Sequence, residues 1–177
     1  MSFQELLASR RKDILKKWQK KIFLLYPADS NKFLTSESDR FANPVGNSIK
    51  EKTENLLAEL TGRDEFDPER AGAIMDEMIR IRAVQDFSPS EAVSFIYLLK
   101  DVITDELRNL PDPDKAVLAE ALSFYGRIDK AAVTAFEIYV KCREKLFEIK
   151  VESAKNQVSG LLRRSDLISE APEWESC

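Results

Sequence analysis

Apolar residues recur along the chain at helical spacing, and clear start signals punctuate them. After Ser2 the pattern places Leu7, Ile14, Trp18, Ile22 and Leu25 on one face. Ser2 and Glu5 form the Ser-x-x-Glu arrangement that caps a helix N-terminus from both sides. Tyr26-Pro27 closes this first helix, because the residue before a proline avoids the α region. A shorter helical stretch follows over Asn31 to Asp39. Four Xaa-Pro pairs then mark further starts: Asn43-Pro44, Asp67-Pro68, Ser88-Pro89 and Asp112-Pro113. In each, a capping side chain precedes a proline at the first helical position, where its missing N–H costs nothing. This punctuation predicts helices over 44–60, 68–83, 89–109 and 113–125, the third opened by a second capping box, Ser88 with Glu91.

The apolar stripes agree with these boundaries. Ala71, Ile74, Met75 and Met78 share a face, as do Ala92, Phe95, Ile96, Leu99, Ile103 and Leu107, and then Val117, Leu118, Ala121, Leu122 and Tyr125. No segment alternates in the manner of a strand between hairpin turns. The expected fold class is all-α. After Gly126 no proline occurs until Pro172, so a single helix is predicted over 127–164. At 1.5 Å per residue it would span roughly 55 Å, more than one small domain can cover. Phe136, Val140, Phe147, Val151, Ala154, Val158 and Leu161 follow one another at steps of 4, 7, 4, 3, 4 and 3, close to a heptad seam with one irregularity at Phe147–Val151. Such a stripe needs a second surface. Either a second copy of the chain supplies it, which makes these residues a dimer seam, or the helix folds back with a break at Ser159-Gly160; the expectation is a homodimer.

Composition narrows the chemistry. The 177 residues suit one domain over 1–164, followed by an acidic, loosely held tail over 165–177. The chain has no histidine, which removes His-based acid–base catalysis, Ser-His-Asp and Cys-His nucleophiles, and His-ligated metals. Two cysteines, Cys142 and Cys177, are too few for a four-thiolate site or a disulfide framework. No stretch has the apolar length of a membrane span or the pattern of a signal peptide, so the expected location is cytoplasmic, without membrane insertion. Charge is unevenly spread: residues 1–24 carry +5, 51–114 carry −9, 127–164 carry +4 and 165–177 carry −4. Oppositely charged helices attracting one another within the fold is the first reading, and an acidic docking surface the second. The basic stretches lie beside no nucleic-acid motif, so no nucleic-acid partner is expected.

One segment carries a family likeness. Tyr26-Pro27-Ala28-Asp29, then Phe33-Leu34, then Asp39-Arg40-Phe41-Ala42-Asn43-Pro44-Val45-Gly46 resembles the N-terminal domain family named after RsbRD, the RsbT co-antagonist proteins of bacterial stressosomes. Read from the residues alone, Asn43 caps a helix that Pro44 starts, Gly46 admits a close backbone, and Phe41 staples back onto the helix. Asp39 and Arg40 are placed for a polar contact across the same corner. The resemblance implies a globin-like helical domain without haem, dimeric, serving as a sensory input and joined by a long helix to a phosphorylatable output domain. This sequence stops at Cys177 after the long helix, so the expectation is a stand-alone member. Stand-alone members resemble proteins found near sulfur-metabolism genes of anaerobic bacteria.

Other chemistry is thinly supported. Asp101 with Asp105 and Glu148 with Glu152 pair on helix faces, which is unremarkable among 31 acidic residues. Lys141 and Arg143 flank Cys142 in sequence without facing it on a helix. Trp18, Phe95, Tyr125 and Tyr139 form a candidate apolar pocket, with Phe23, Tyr97, Phe124 and Phe136 as further aromatic candidates for lining it; the alternative is that these rings are simply core. The expected function is therefore a non-enzymatic regulatory or sensory interaction module, acting as a dimer with a protein partner and without a cofactor. Two alternatives stand beside it: a structural accessory protein docking onto a redox complex of sulfur metabolism, and a carrier of a small apolar ligand.

Overall fold

A computed structural model describes residues 2–35, 42–62, 65–85, 87–111 and 113–164. The described residues form six helices and no strand: α1 (Phe3–Phe23), α2 (Ala28–Thr35), α3 (Pro44–Thr61), α4 (Pro68–Val84), α5 (Pro89–Arg108) and α6 (Lys115–Arg164). The all-α expectation holds. The chain divides into two compact units, Met1–Val140 and Lys141–Cys177.

The local start signals act as their chemistry requires. The Ser2 hydroxyl accepts from the Glu5 N–H, and the Glu5 carboxylate accepts from the Ser2 N–H at 2.8 Å. Ser88 and Glu91 close the same reciprocal pair at the start of α5. Asp67 caps α4 by accepting from the N–H groups of Glu69 and Arg70, with Pro68 in the first turn. The hydroxyl and the N–H of Ser88 both donate to the Glu91 carboxylate and hold it below its ordinary pKa of 4.5.

Two boundaries differ from the sequence reading. Helix α2 begins at Ala28 rather than Asn31, directly behind Pro27, whose carbonyl accepts from Asn31 N–H at 2.8 Å. The helices expected over 113–125 and 127–164 are one helix of 50 residues. Asp112 lies outside the described residues; Asp114 accepts from the Ala116 and Leu118 N–H groups at the actual start. Gly126 does not interrupt this helix, and neither does Ser159-Gly160. A single glycine costs a helix only about 1 kcal/mol relative to alanine, which flanking turns easily outweigh.

Within the first unit, α1 packs on α3 and α5, α4 bridges α3 and α5, and α2 lies against α1 and α3. The core holds Phe3, Ile14, Trp18 and Ile22 of α1, Leu56, Leu57 and Leu60 of α3, Met75 and Ile79 of α4, and Phe95, Ile96, Leu99 and Ile103 of α5. Leu25, expected on the buried face of α1, falls beyond its last turn and is 36% exposed. The part of α6 in this unit buries Val117, Ala121, Phe124, Ile128, Ala131, Ala135 and Tyr139, while Leu118 and Leu122 turn outward. Phe124 meets Phe3 edge-on, ring centroids 5.6 Å apart. Arg127 reaches the end of α3, donating through Nη1 to the carbonyls of Leu60 (3.0 Å) and Gly62 (2.6 Å), where orphaned helix carbonyls favour a cation.

The uneven charge is partly absorbed inside the unit. Glu106 of α5 is 3% exposed and pairs with Lys17 of α1 at 2.5 Å, with Arg10 at 3.9 Å. Lys100 of α5 pairs with Asp129 of α6 at 2.6 Å. Basic α1 and acidic α5 thus attract each other, as the first reading of the charge layout anticipated.

Two measurements check this account. A Cβ added at Gly126 meets nothing within 4 Å, so Gly126→Ala should stabilise the chain by about 0.5–1 kcal/mol in denaturant unfolding. Loss of stability would mean that α6 bends at that point. Because its pKa is lowered in the folded chain, Glu91 supports the α5 cap at neutral pH, and that support fades as pH falls through the folded value. Side-chain NMR titration should show the Glu91 pKa rising toward 4.5 in Ser88→Ala. An unchanged value would assign the depression to another cause.

Candidate functional site

The corner between α2 and α3 is built on one side chain. Asn43 is fully buried at the N-cap of α3; its Oδ1 accepts from Gly46 N–H at 2.9 Å and its Nδ2 donates to the Leu34 carbonyl of α2 at 2.9 Å. The Asn47 side chain donates to the Asn43 carbonyl at 2.8 Å. Pro44 supplies the first turn. At Gly46 an added Cβ would stand 2.3 Å from the Leu34 carbonyl oxygen and 2.5 Å from the Asn43 amide, so no other residue fits without movement. Asp39, Arg40 and Phe41, expected at the same corner, lie outside the described residues.

Beside this corner lies an open cleft of about 700 Å³, lined by Tyr26, Pro27, Asp29, Ser30, Leu34, Pro44, Val45, Gln85 and Phe87. Tyr26 and Phe87 meet edge-on in its wall, centroids 5.4 Å apart. Both rings also contact Arg82, which is fully buried: its guanidinium carbon is 5.4 Å from the Tyr26 centroid, 5.3 Å from Phe87 and 4.8 Å from Phe95. Nη1 donates to the Glu91 carbonyl at 3.2 Å and, at the limit of bonding distance, to that of Ala92 at 3.5 Å. Among the described residues Nε and Nη2 have no hydrogen-bond partner. Burial pushes the Arg82 pKa down; the Tyr26 hydroxyl offsets part of that penalty without reaching hydrogen-bonding geometry to either free donor.

Three of the four candidate pocket residues converge on this cluster. Trp18 donates from Nε1 to the Phe95 carbonyl at 2.7 Å, and the Tyr139 hydroxyl donates to the Phe87 carbonyl. Trp18 and Phe95 are closed core with no exposed surface, and Phe95 serves as the floor under the guanidinium. Tyr125 goes elsewhere. Its hydroxyl bonds Thr104 at 2.7 Å, and it lines a second, apolar cleft of about 460 Å³ with Leu107, Leu118, Ala121 and Leu122.

Sequence reasoning passed over Arg82, although its register gave it away. Ala71, Met75, Met78 and Arg82 follow at steps of 4, 3 and 4, so the arginine continues the buried stripe of α4. A cation in phase with core positions is the unusual signal.

The candidate seam residues lie along α6 as spaced. In the first unit Phe136 is 46% exposed and Val140 partly buried; in the second, Phe147, Ala154, Val158 and Leu161 are exposed and Val151 partly buried. Cys142 is a half-buried free thiol, and Cys177 falls outside the described residues. Of the carboxylate pairs, Asp105 is drawn to Arg108 (3.8 Å) and Glu148 to Lys145 (3.1 Å).

A helical body with an open cleft, an anchored corner and an apolar helix stripe has the makings of a binding module. The chain belongs to the family described as the RsbT co-antagonist protein rsbRD N-terminal domain, which residues 12–152 match. It is also similar to an uncharacterized protein of Archaeoglobus fulgidus, 28% identical over 96 residues, which cover 54% of this chain and 59% of that protein. No solved structure matches.

The corner geometry sets a test with an internal control. Gly46→Ala should destabilise the chain by about 1–3 kcal/mol in denaturant unfolding, because the obstructing atoms are a backbone carbonyl and a capping amide. The same substitution at Gly126 carries the opposite sign. A neutral Gly46→Ala would show that the α2–α3 approach is looser than described.

Proposed function

We propose that this chain is a cytoplasmic, non-enzymatic regulatory module that acts as a dimer paired through the apolar stripe of α6. Membership of the RsbRD N-terminal domain family supports the regulatory, protein-binding character. The observation that carries the dimer is the exposure of large apolar side chains at seam spacing: Phe136 at 46%, Phe147 at 68%, Val158 at 55% and Leu161 at 65%. Single exposed apolar residues are ordinary, but a row at near-heptad spacing, with one irregular step at Phe147–Val151, is the pattern that helix pairing uses. The same reading takes the body as a haem-free relative of the globin architecture. A partner or ligand that prefers one arrangement of the paired helices would shift their equilibrium by the difference in its affinity for the two, and that difference is the signal.

The described residues contain no helix long and apolar enough to cross a membrane.

Light scattering on the full chain after size exclusion tests the dimer. The wild type should show the mass of two chains. Phe147→Glu combined with Val158→Glu, both at exposed positions, should give a folded monomer with unchanged helical circular dichroism. A wild-type monomer, or a double variant that stays dimeric, would overturn pairing through this stripe.

A further inference from the structure

Arg82 has no structural account that uses all of its donors. A guanidinium stays protonated inside proteins, and a buried charge without an anionic partner is costly. The three surrounding rings attract the cation through their faces, yet they leave the N–H groups of its edge unsatisfied. Nη1 is occupied by carbonyls at the start of α5. The two donors left over, Nε and Nη2, are the ones that share one edge of the guanidinium plane. That edge is a fork matching the two oxygens of a carboxylate. Native buried donors seldom lack a partner, so this free fork marks a position for a ligand.

Tyr26 and Phe87 belong both to the cage around Arg82 and to the wall of the 700 Å³ cleft. We propose that this cleft binds a small monocarboxylate with an apolar body, its carboxylate on the Nε–Nη2 edge of Arg82 and its hydrocarbon along Leu34, Val45 and Phe87. Arg82 is not itself among the residues lining the cleft, so the head group reaches the fork only when the Tyr26 ring, in the turn between α1 and α2, turns aside. Asp29 also lines the cleft, and its negative charge disfavours a second anionic group on the same ligand. That is why a monocarboxylate fits better than a dicarboxylate. The site lies wholly in the first unit and does not depend on pairing through α6.

Titration calorimetry on the full chain tests this with two probes of equal length, decanoate below its micellar concentration and 1-decanol. Decanoate should bind one per chain, at least about tenfold more tightly than the alcohol, as expected for a charge-assisted fork. Arg82→Met keeps the length and apolar stem; it should erase that preference while melting no lower than wild type, since it removes an unpaired buried charge. Arg82→Lys keeps a charge without the fork and should weaken decanoate severalfold. Absence of decanoate binding to the wild type, or equal affinity for acid and alcohol, overturns the proposal even if the variants fail to fold. Full decanoate affinity in a folded Arg82→Met does the same.

Discussion

A positive charge with no anion beside it among the described residues sits where the helices of the first unit meet. Arg82 leaves the end of α4, touches Tyr26 behind α1, Phe87 in the α4–α5 connection and Phe95 on α5, and donates to the first carbonyls of α5. Two of these contacts are themselves tied to another helix. The Phe95 carbonyl receives Trp18 of α1, and the Phe87 carbonyl receives Tyr139 of α6. Burying an arginine there requires every one of these partners, because water cannot solvate what they fail to cover. The cost tightens the junction and leaves two donors facing no partner, so the same residue that organises the core also supplies its unspent binding capacity.

The neighbouring corner works by a different economy. Asn43 meets three backbone needs at once, capping α3, holding the α2 carbonyl and presenting its own carbonyl to Asn47. The glycine at 46 is required by the resulting approach of two backbones. The cleft therefore has one wall fixed by hydrogen bonds between the Asn43 side chain and the backbone, and another made of two aromatic rings. Long α6 adds a second surface of another kind, an exposed apolar row that includes Phe147, Val158 and Leu161.

Helix starts were largely legible because they are local chemistry. Ser2, Asn43, Asp67 and Ser88 each satisfy N–H groups within three residues, which needs no tertiary context. Gly126 misled for the reason that glycine is only weakly unfavourable in a helix, and packing on either side of it decided the matter. The pocket residues were half legible. Aromatic spacing located Trp18, Phe95 and Tyr139 on inward faces, but it could not separate them from Tyr125, which faces a different cleft.

By itself, the sequence determined the all-α class, the caps, the glycine-dependent corner and the apolar stripe of the last helix, since each rests on spacing within one or two turns. Only the tertiary structure decided which stripe residues are covered, how the basic first helix pairs with Glu106, and that Arg82 is enclosed with two donors free. Those outcomes depend on residues far apart in the chain arriving at one place. Helical periodicity can say which way a side chain faces along its own axis, but it carries no information about what waits on the other side.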